Sequence, residues 1–344
     1  MTDPRPFHER RRQQFLDEDS YENTVHNQQD LIEGELANIR EAAPGTELYS
    51  SSYEILYLEA MWLWMLDYTA GCPVENLAPR IAAIVDAFEN WNEAAQLRLI
   101  ELYRRYPEYG AYNYYAPPHF NALADYEDVL QLLSIAILVR DLRSVERIAY
   151  VMRSHRGEDG LFDALIAPYD EWEGTEADEC VITNPYNELL RAFYVEGDDE
   201  TLETVKQYLK HWYRAMRNHP RWYDGHVRIG VNGSTTYYGY WAFEAGAAVY
   251  LLDIDDSSID HMVYPKDLVA YGKMLRESGR YTSEGAAAPA YSGRVQGGGA
   301  CPQTGYWFTP AKENSRGHFQ QGELMPIFAD SDYGTTIWQW SAEQ

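Results

Sequence analysis

Positive charge is scarce in this sequence: 28 lysines and arginines stand against 54 aspartates and glutamates, for a formal net charge of -26. That balance opposes binding to nucleic-acid phosphates or anionic lipid surfaces and points to a basic partner. Cysteine is scarce as well. Cys72, Cys180 and Cys301 lie too far apart for a zinc spacing or a disulfide framework, so a reduced cytoplasmic setting is expected. Long apolar runs are missing: the most hydrophobic stretch, Tyr53 to Tyr68, is broken by Glu54 and Glu59. The amino terminus, MTDPRPFHERRRQQF, has no apolar segment of signal-peptide length, so neither export nor a membrane span is expected. Catalytic signatures are absent too: there is no GxSxG elbow, no GxxxxGK[ST] phosphate loop and no GxGxxG after a strand. His211, His219, His226 and His261 show no HExxH or i, i+4 pairing. The expectation is no metal, no cofactor and no catalytic residue.

What is present is a globular composition, 45% hydrophobic and 14% aromatic over 344 residues, with apolar residues recurring mainly at helical spacing. A first helix is expected from Tyr21 to Ala43, stopped by Pro44-Gly45, and a buried second helix is expected after a cap at Ser50 to Ser52. A third starts near Val74 or Arg80 and carries Ile81, Ile84, Val85, Phe88 and Trp91 towards Tyr103. After a Pro- and Tyr-rich connection, Tyr106 to Phe120, the stripe Leu123, Tyr126, Leu130, Leu133, Ile137 and the set Val145, Ile148, Met152 predict a helical hairpin. Pro185 to Val195 and Asp198 to Met216 predict another pair, with Asp198 as a cap. Tyr237 to Leu252 predicts a central helix carrying Trp241, Ala245, Ala248 and Leu252, and Pro265 opens one more over Lys266 to Lys273. Ser283 to Ala300 reads as a linker, followed by β-type runs at Gly305 to Thr309 and Thr335 to Trp340. The fold class is therefore all-α: paired antiparallel helices in a bundle or toroid-like array, with a small C-terminal β-hairpin. The expected division is 1–110, 121–280 and 300–344.

Two acidic features carry the chemistry. Glu158 to Glu179 holds nine carboxylates and no lysine or arginine, and reads as a self-repelling loop. Its dense part is Asp170, Glu171, Glu173, Glu176, Asp178 and Glu179, with Trp172 as an aromatic anchor. Such a loop is either a solvated face or a surface that meets a basic groove. Asp253, Asp255 and Asp256 form a second acidic set at a helix end, and they match neither the calcium-loop nor a paired-metal pattern. Glu244 shares helical turns with Trp241 and Ala248 and reads as a core carboxylate. The rival reading is an (α/α) toroidal glycan-processing enzyme, whose stacking platforms would use the 10 tryptophans and 29 tyrosines and whose chemistry needs two opposed carboxylates.

The segments YYGYWAFEAGAAVYLLDIDDSS, starting at Tyr237, and YPKDLV, starting at Tyr264, resemble the C-terminal domain of immunity proteins paired with PoNe-type nuclease toxins. YTAGCPVENLAPRI, starting at Tyr68, resembles the amino-terminal region of that family. CPQTGYWF, GELMP and DYGTTIWQW resemble a carboxy-terminal extension of a related subgroup. The resemblance implies a cytoplasmic immunity protein that binds and neutralises a cognate antibacterial effector with a basic surface. A nuclease delivered by a contact-dependent route such as type VI secretion is the first expectation. The candidate toxin-binding residues are then Asp170, Glu171, Trp172, Glu173, Glu176, Asp178, Glu179, Asp253, Asp255 and Asp256.

Overall fold

Helix-favouring segments with an apolar period dominate the first 280 residues, and side chains at their starts supply the caps that fix where each helix begins. The computed structural model describes residues 5–108, 116–169, 174, 177–218, 222–282, 294–299, 301, 305–309, 312, 315–320, 322–328 and 336–340. Two compact units result, residues 1–283 and residues 284–344. The helices of the first are α1 (Phe7–Arg10), α2 (Glu18–Glu41), α3 (Glu47–Thr69), α4 (Val74–Leu77), α5 (Ile81–Arg105) and α6 (Leu123–Leu138). They continue as α7 (Leu142–Val151), α8 (Gly160–Ile166), α9 (Thr183–Leu190), α10 (Asp198–Ala215), α11 (Phe243–Leu251) and α12 (Lys266–Glu277). The architecture is all-α, as the periodicity predicts.

Two boundaries differ from expectation for local reasons. The Thr46 side chain caps α3 by accepting from the Tyr49 amide, so the helix starts ahead of Ser50 to Ser52. Asp198 is the first residue of α10 and not its cap; Gly197, at φ +94°, precedes it.

One buried core runs from Phe7 to Val269, crossing the 106–120 connection. Tyr57 of α3 meets Phe88 and Trp91 of α5, and Trp64 and Tyr68 of α3 meet Phe243 of α11, while α6 is buried along nearly its whole length and packs on α7 and α11. The exception is α2, whose buried face is polar, Ser20, Thr24 and Gln28, whereas Leu31 and Leu36 are exposed.

The central helix is shorter than the sequence suggests. Residues 237–242 are not helical, and α11 begins only at Phe243. Gly239 adopts φ +107° against Thr69 and the Trp241 indole, where a Cβ would collide with both. Gln13, from the charged amino terminus, replaces the missing helical hydrogen bonds. Its Oε1 accepts from the Tyr240 amide at 2.8 Å and from the Tyr237 hydroxyl, and its Nε2 donates to Tyr240 O at 2.7 Å and Met262 O at 3.0 Å. Ala242 N donates to Val263 O at 2.9 Å.

The second unit is an antiparallel sheet of β1 (Arg294–Gln296), β2 (Gly305–Phe308), β3 (Gly317–Phe319) and β4 (Ile337–Trp340), in the order β1-β4-β2-β3. The expected hairpin pairing is extended to four strands, because part of the segment read as a linker supplies β1. Cys301, Trp307, Met325 and Trp338 are buried together, with Phe319 and Phe328 packed against them. Trp338 Nε1 also donates to Pro326 O at 2.8 Å. Among the described residues, no helix is long and apolar enough to cross a membrane.

Candidate functional site

The acidic stretch 158–179 is only partly loop. Leu161, Phe162, Leu165 and Ile166 are buried as the inner face of α8, a helix that the surrounding charge hides in the sequence. Asp159 and Asp163, which read as loop carboxylates, are 0% exposed and belong to the scaffold. Asp159 Oδ1 caps α8 by accepting from Phe162 N, and its Oδ2 accepts from Val181 N, both at 2.8 Å. Burial pushes its pKa up against the lowering effect of these two amides. Asp163 accepts from Gly157 N at 3.0 Å and Ala177 N at 3.3 Å, and faces Arg156 at 3.2 Å.

The exit of the acidic segment is thereby fastened to α8 and α9. Gly160 N donates to Glu179 O at 3.0 Å, and Cys180 N donates to Asn187 Oδ1 at 2.7 Å. Gly160 has to be glycine for this approach, since a Cβ there would run into Ala177 O. Asp178 and Glu179 stand exposed on this rigid exit. Asp170, Glu171, Trp172, Glu173 and Glu176 lie outside the described residues.

Asp253, Asp255 and Asp256 occupy the turn between α11 and α12, and much of their charge is met internally. Asp253, at φ +56° and exposed, pairs with Arg276. Asp256 accepts from the Tyr264 hydroxyl at 2.9 Å and pairs with Lys273 at 2.7 Å. Asp255 is open to solvent, and its pKa is lowered chiefly by the Ser257 amide. The two acidic sets therefore sit on different supports, 178–179 on α8 and α9 and 253–256 on α11 and α12.

Glu244 behaves as the core carboxylate that its spacing predicts. It accepts from the Tyr208 hydroxyl at 2.6 Å, and burial pushes its pKa up to about 8, with Glu127 adding to the rise. Glu127 accepts from Trp222 Nε1 at 3.2 Å. Both carboxylates are 1% exposed, so this pair is sealed in packing and cannot reach the two faces of a glycosidic bond. His211 meets Glu188 at 3.0 Å and His226 meets the Tyr240 hydroxyl at 2.6 Å, while His219 is outside the described residues. No cluster of metal-ligating side chains occurs among the described residues.

The segment from α8 to the start of α12, with both acidic sets, coincides with a known family. Residues 157–268 match the family of PoNe immunity proteins (PoNi), C-terminal. Within the matched residues, Asp159, Asp163 and Gly160 fix the backbone at Ala177, Glu179 and Val181. No curated protein matches the chain. Among solved structures, the chain resembles protein PA2201 from Pseudomonas aeruginosa, with a TM-score of 0.58 and 19% identity over 77% of this chain and 92% of that one. That likeness establishes a shared fold.

Proposed function

We propose that the protein binds and neutralises a cognate antibacterial toxin of the PoNe type, a nuclease, and that the acidic segment 170–179 is a principal contact. The observation that carries the reading is the match of residues 157–268 to PoNe immunity proteins. The electrostatics agree: a nuclease presents positive potential to its substrate, and a chain of net charge -26 with a carboxylate-rich segment on a rigid base is complementary to it. The protein acts by occupying that surface, without catalysis and without a cofactor. Cytoplasmic action against an effector delivered by type VI secretion completes the reading. Asp253, Asp255 and Asp256 contribute less, because Arg276 and Lys273 already engage Asp253 and Asp256.

The test is co-expression with the cognate PoNe-type toxin. Cells producing the toxin alone are expected to lose chromosomal DNA and viability, and cells producing both are expected to grow. Loss of viability in both cultures, with the two proteins failing to co-purify, contradicts the proposal.

A further inference from the structure

A cavity of about 320 Å3 opens between α2, α3 and the turn over residues 229–235, away from the acidic segment. Gln28 of α2 and Glu59 of α3 line it, at 2% and 6% exposure. The Gln28 amide and Oε2 of Glu59 form no hydrogen bond within the protein. Gln28 lies near enough to ease the charge on Glu59, but burial prevails and raises its pKa. Gln28 and Glu59 thus face each other without a well-formed hydrogen bond at the edge of the cavity, which leaves acceptor capacity there for a donor that enters it. A single water fills about 30 Å3, which leaves room here for a long side chain.

The walls are fastened in place. Thr235 N donates to Thr24 Oγ1 at 2.9 Å, and Asn232 Nδ2 donates to Asn27 Oδ1 at 3.1 Å, tying the turn to α2. Tyr238, another wall, stacks on Trp62 at 5.1 Å between ring centroids. Arg228 and Ile229 line the cavity and are exposed, and Val227 and Val231, next to them in the chain, are exposed too. Exposed apolar side chains grouped beside a pocket mark a surface that a partner can cover.

We propose that this cavity receives an arginine or lysine side chain of a partner protein, with Glu59 and Gln28 accepting from its cationic head and the 227–231 turn packing around it. A carboxylate beside an amide oxygen matches a forked cationic donor, and the acidity of the whole chain favours a basic partner. The polar anchors Gln28 and Glu59 lie outside residues 157–268, whereas the 227–231 turn lies within them.

The experiment needs no toxin. Full-length 15N-labelled protein is titrated with acetyl-Gly-Arg-Gly-amide and with its citrulline analogue, which keeps the shape and removes the charge, while the Gln28 side-chain amide signal is followed. The arginine peptide is expected to shift that signal saturably and the citrulline peptide to leave it in place. Glu59→Gln and Ile229→Lys are each expected to weaken binding at least about tenfold, the latter at an exposed position that leaves the core intact. No saturable shift, an equal response to citrulline, or unchanged affinity in both variants overturns the proposal.

Discussion

Asp163 and Arg156 face each other at 3.2 Å with side-chain exposures of 0% and 5%, so the base of the acidic segment rests on an ion pair shielded from water. Removing one partner of such a pair strands the other charge in a low-dielectric site. Asp163→Asn is expected to destabilise the first unit by about 3–5 kcal/mol in urea unfolding. A change below about 1 kcal/mol would show that water reaches Arg156 after all.

Gln13 joins the amino terminus to the entrance of α11 through both its amide atoms. Gln13→Ala leaves the Tyr240 amide and two carbonyls without their partners in a buried setting, and is expected to cost about 3 kcal/mol. Hydrogen exchange at the Tyr240 amide is expected to quicken in that variant well before the α6 amides change. Unaltered exchange would remove Gln13 from this role.

Glu244 predicts a particular pH dependence. Its native pKa, about 8, lies above the ordinary carboxyl value of 4.5, so the folded state binds the extra proton between those limits. The stabilisation from this group is complete below about pH 4.5 and declines as pH rises to about 8, by about 1.4 kcal/mol per unit within the window. Glu244→Gln keeps an acceptor for Tyr208 and removes the titration. Urea unfolding at pH 5 and pH 8.5 is expected to show a smaller loss of stability on going to high pH for the variant than for the parent. Equal losses would mean that Glu244 ionises normally in the folded protein.

The apolar helices were legible because their burial is periodic: Tyr57, Met61, Trp64 and Tyr68 on α3, or Leu130, Leu133 and Ile137 on α6, declare their inner faces. The polar face of α2 was not, because Thr24 finds its partner Thr235 at a separation of 211 residues, which no local pattern encodes. Helix α8 was hidden by its charged flanks, although the doublets Leu161-Phe162 and Leu165-Ile166 have helical spacing and Asp159 sits at the capping position. The acidic character of the site could be read from composition. Which carboxylates hold the segment and which face solvent depends on burial, and that separates Asp159 and Asp163 from Asp178 and Glu179.

The central claim is that the acidic segment guides the protein onto a cationic toxin, and association kinetics test it most directly. Parent and a variant with Asp170, Glu171, Glu173, Glu176, Asp178 and Glu179 changed to Asn or Gln are flowed over an immobilised, inactivated cognate toxin at several salt concentrations. The neutralised segment is expected to associate about tenfold more slowly at low salt, with a flattened salt dependence and unchanged unfolding, while Trp172→Ala mainly speeds dissociation. Association of the neutralised variant at the parental rate at low salt, with full protection of toxin-producing cells, would contradict the account.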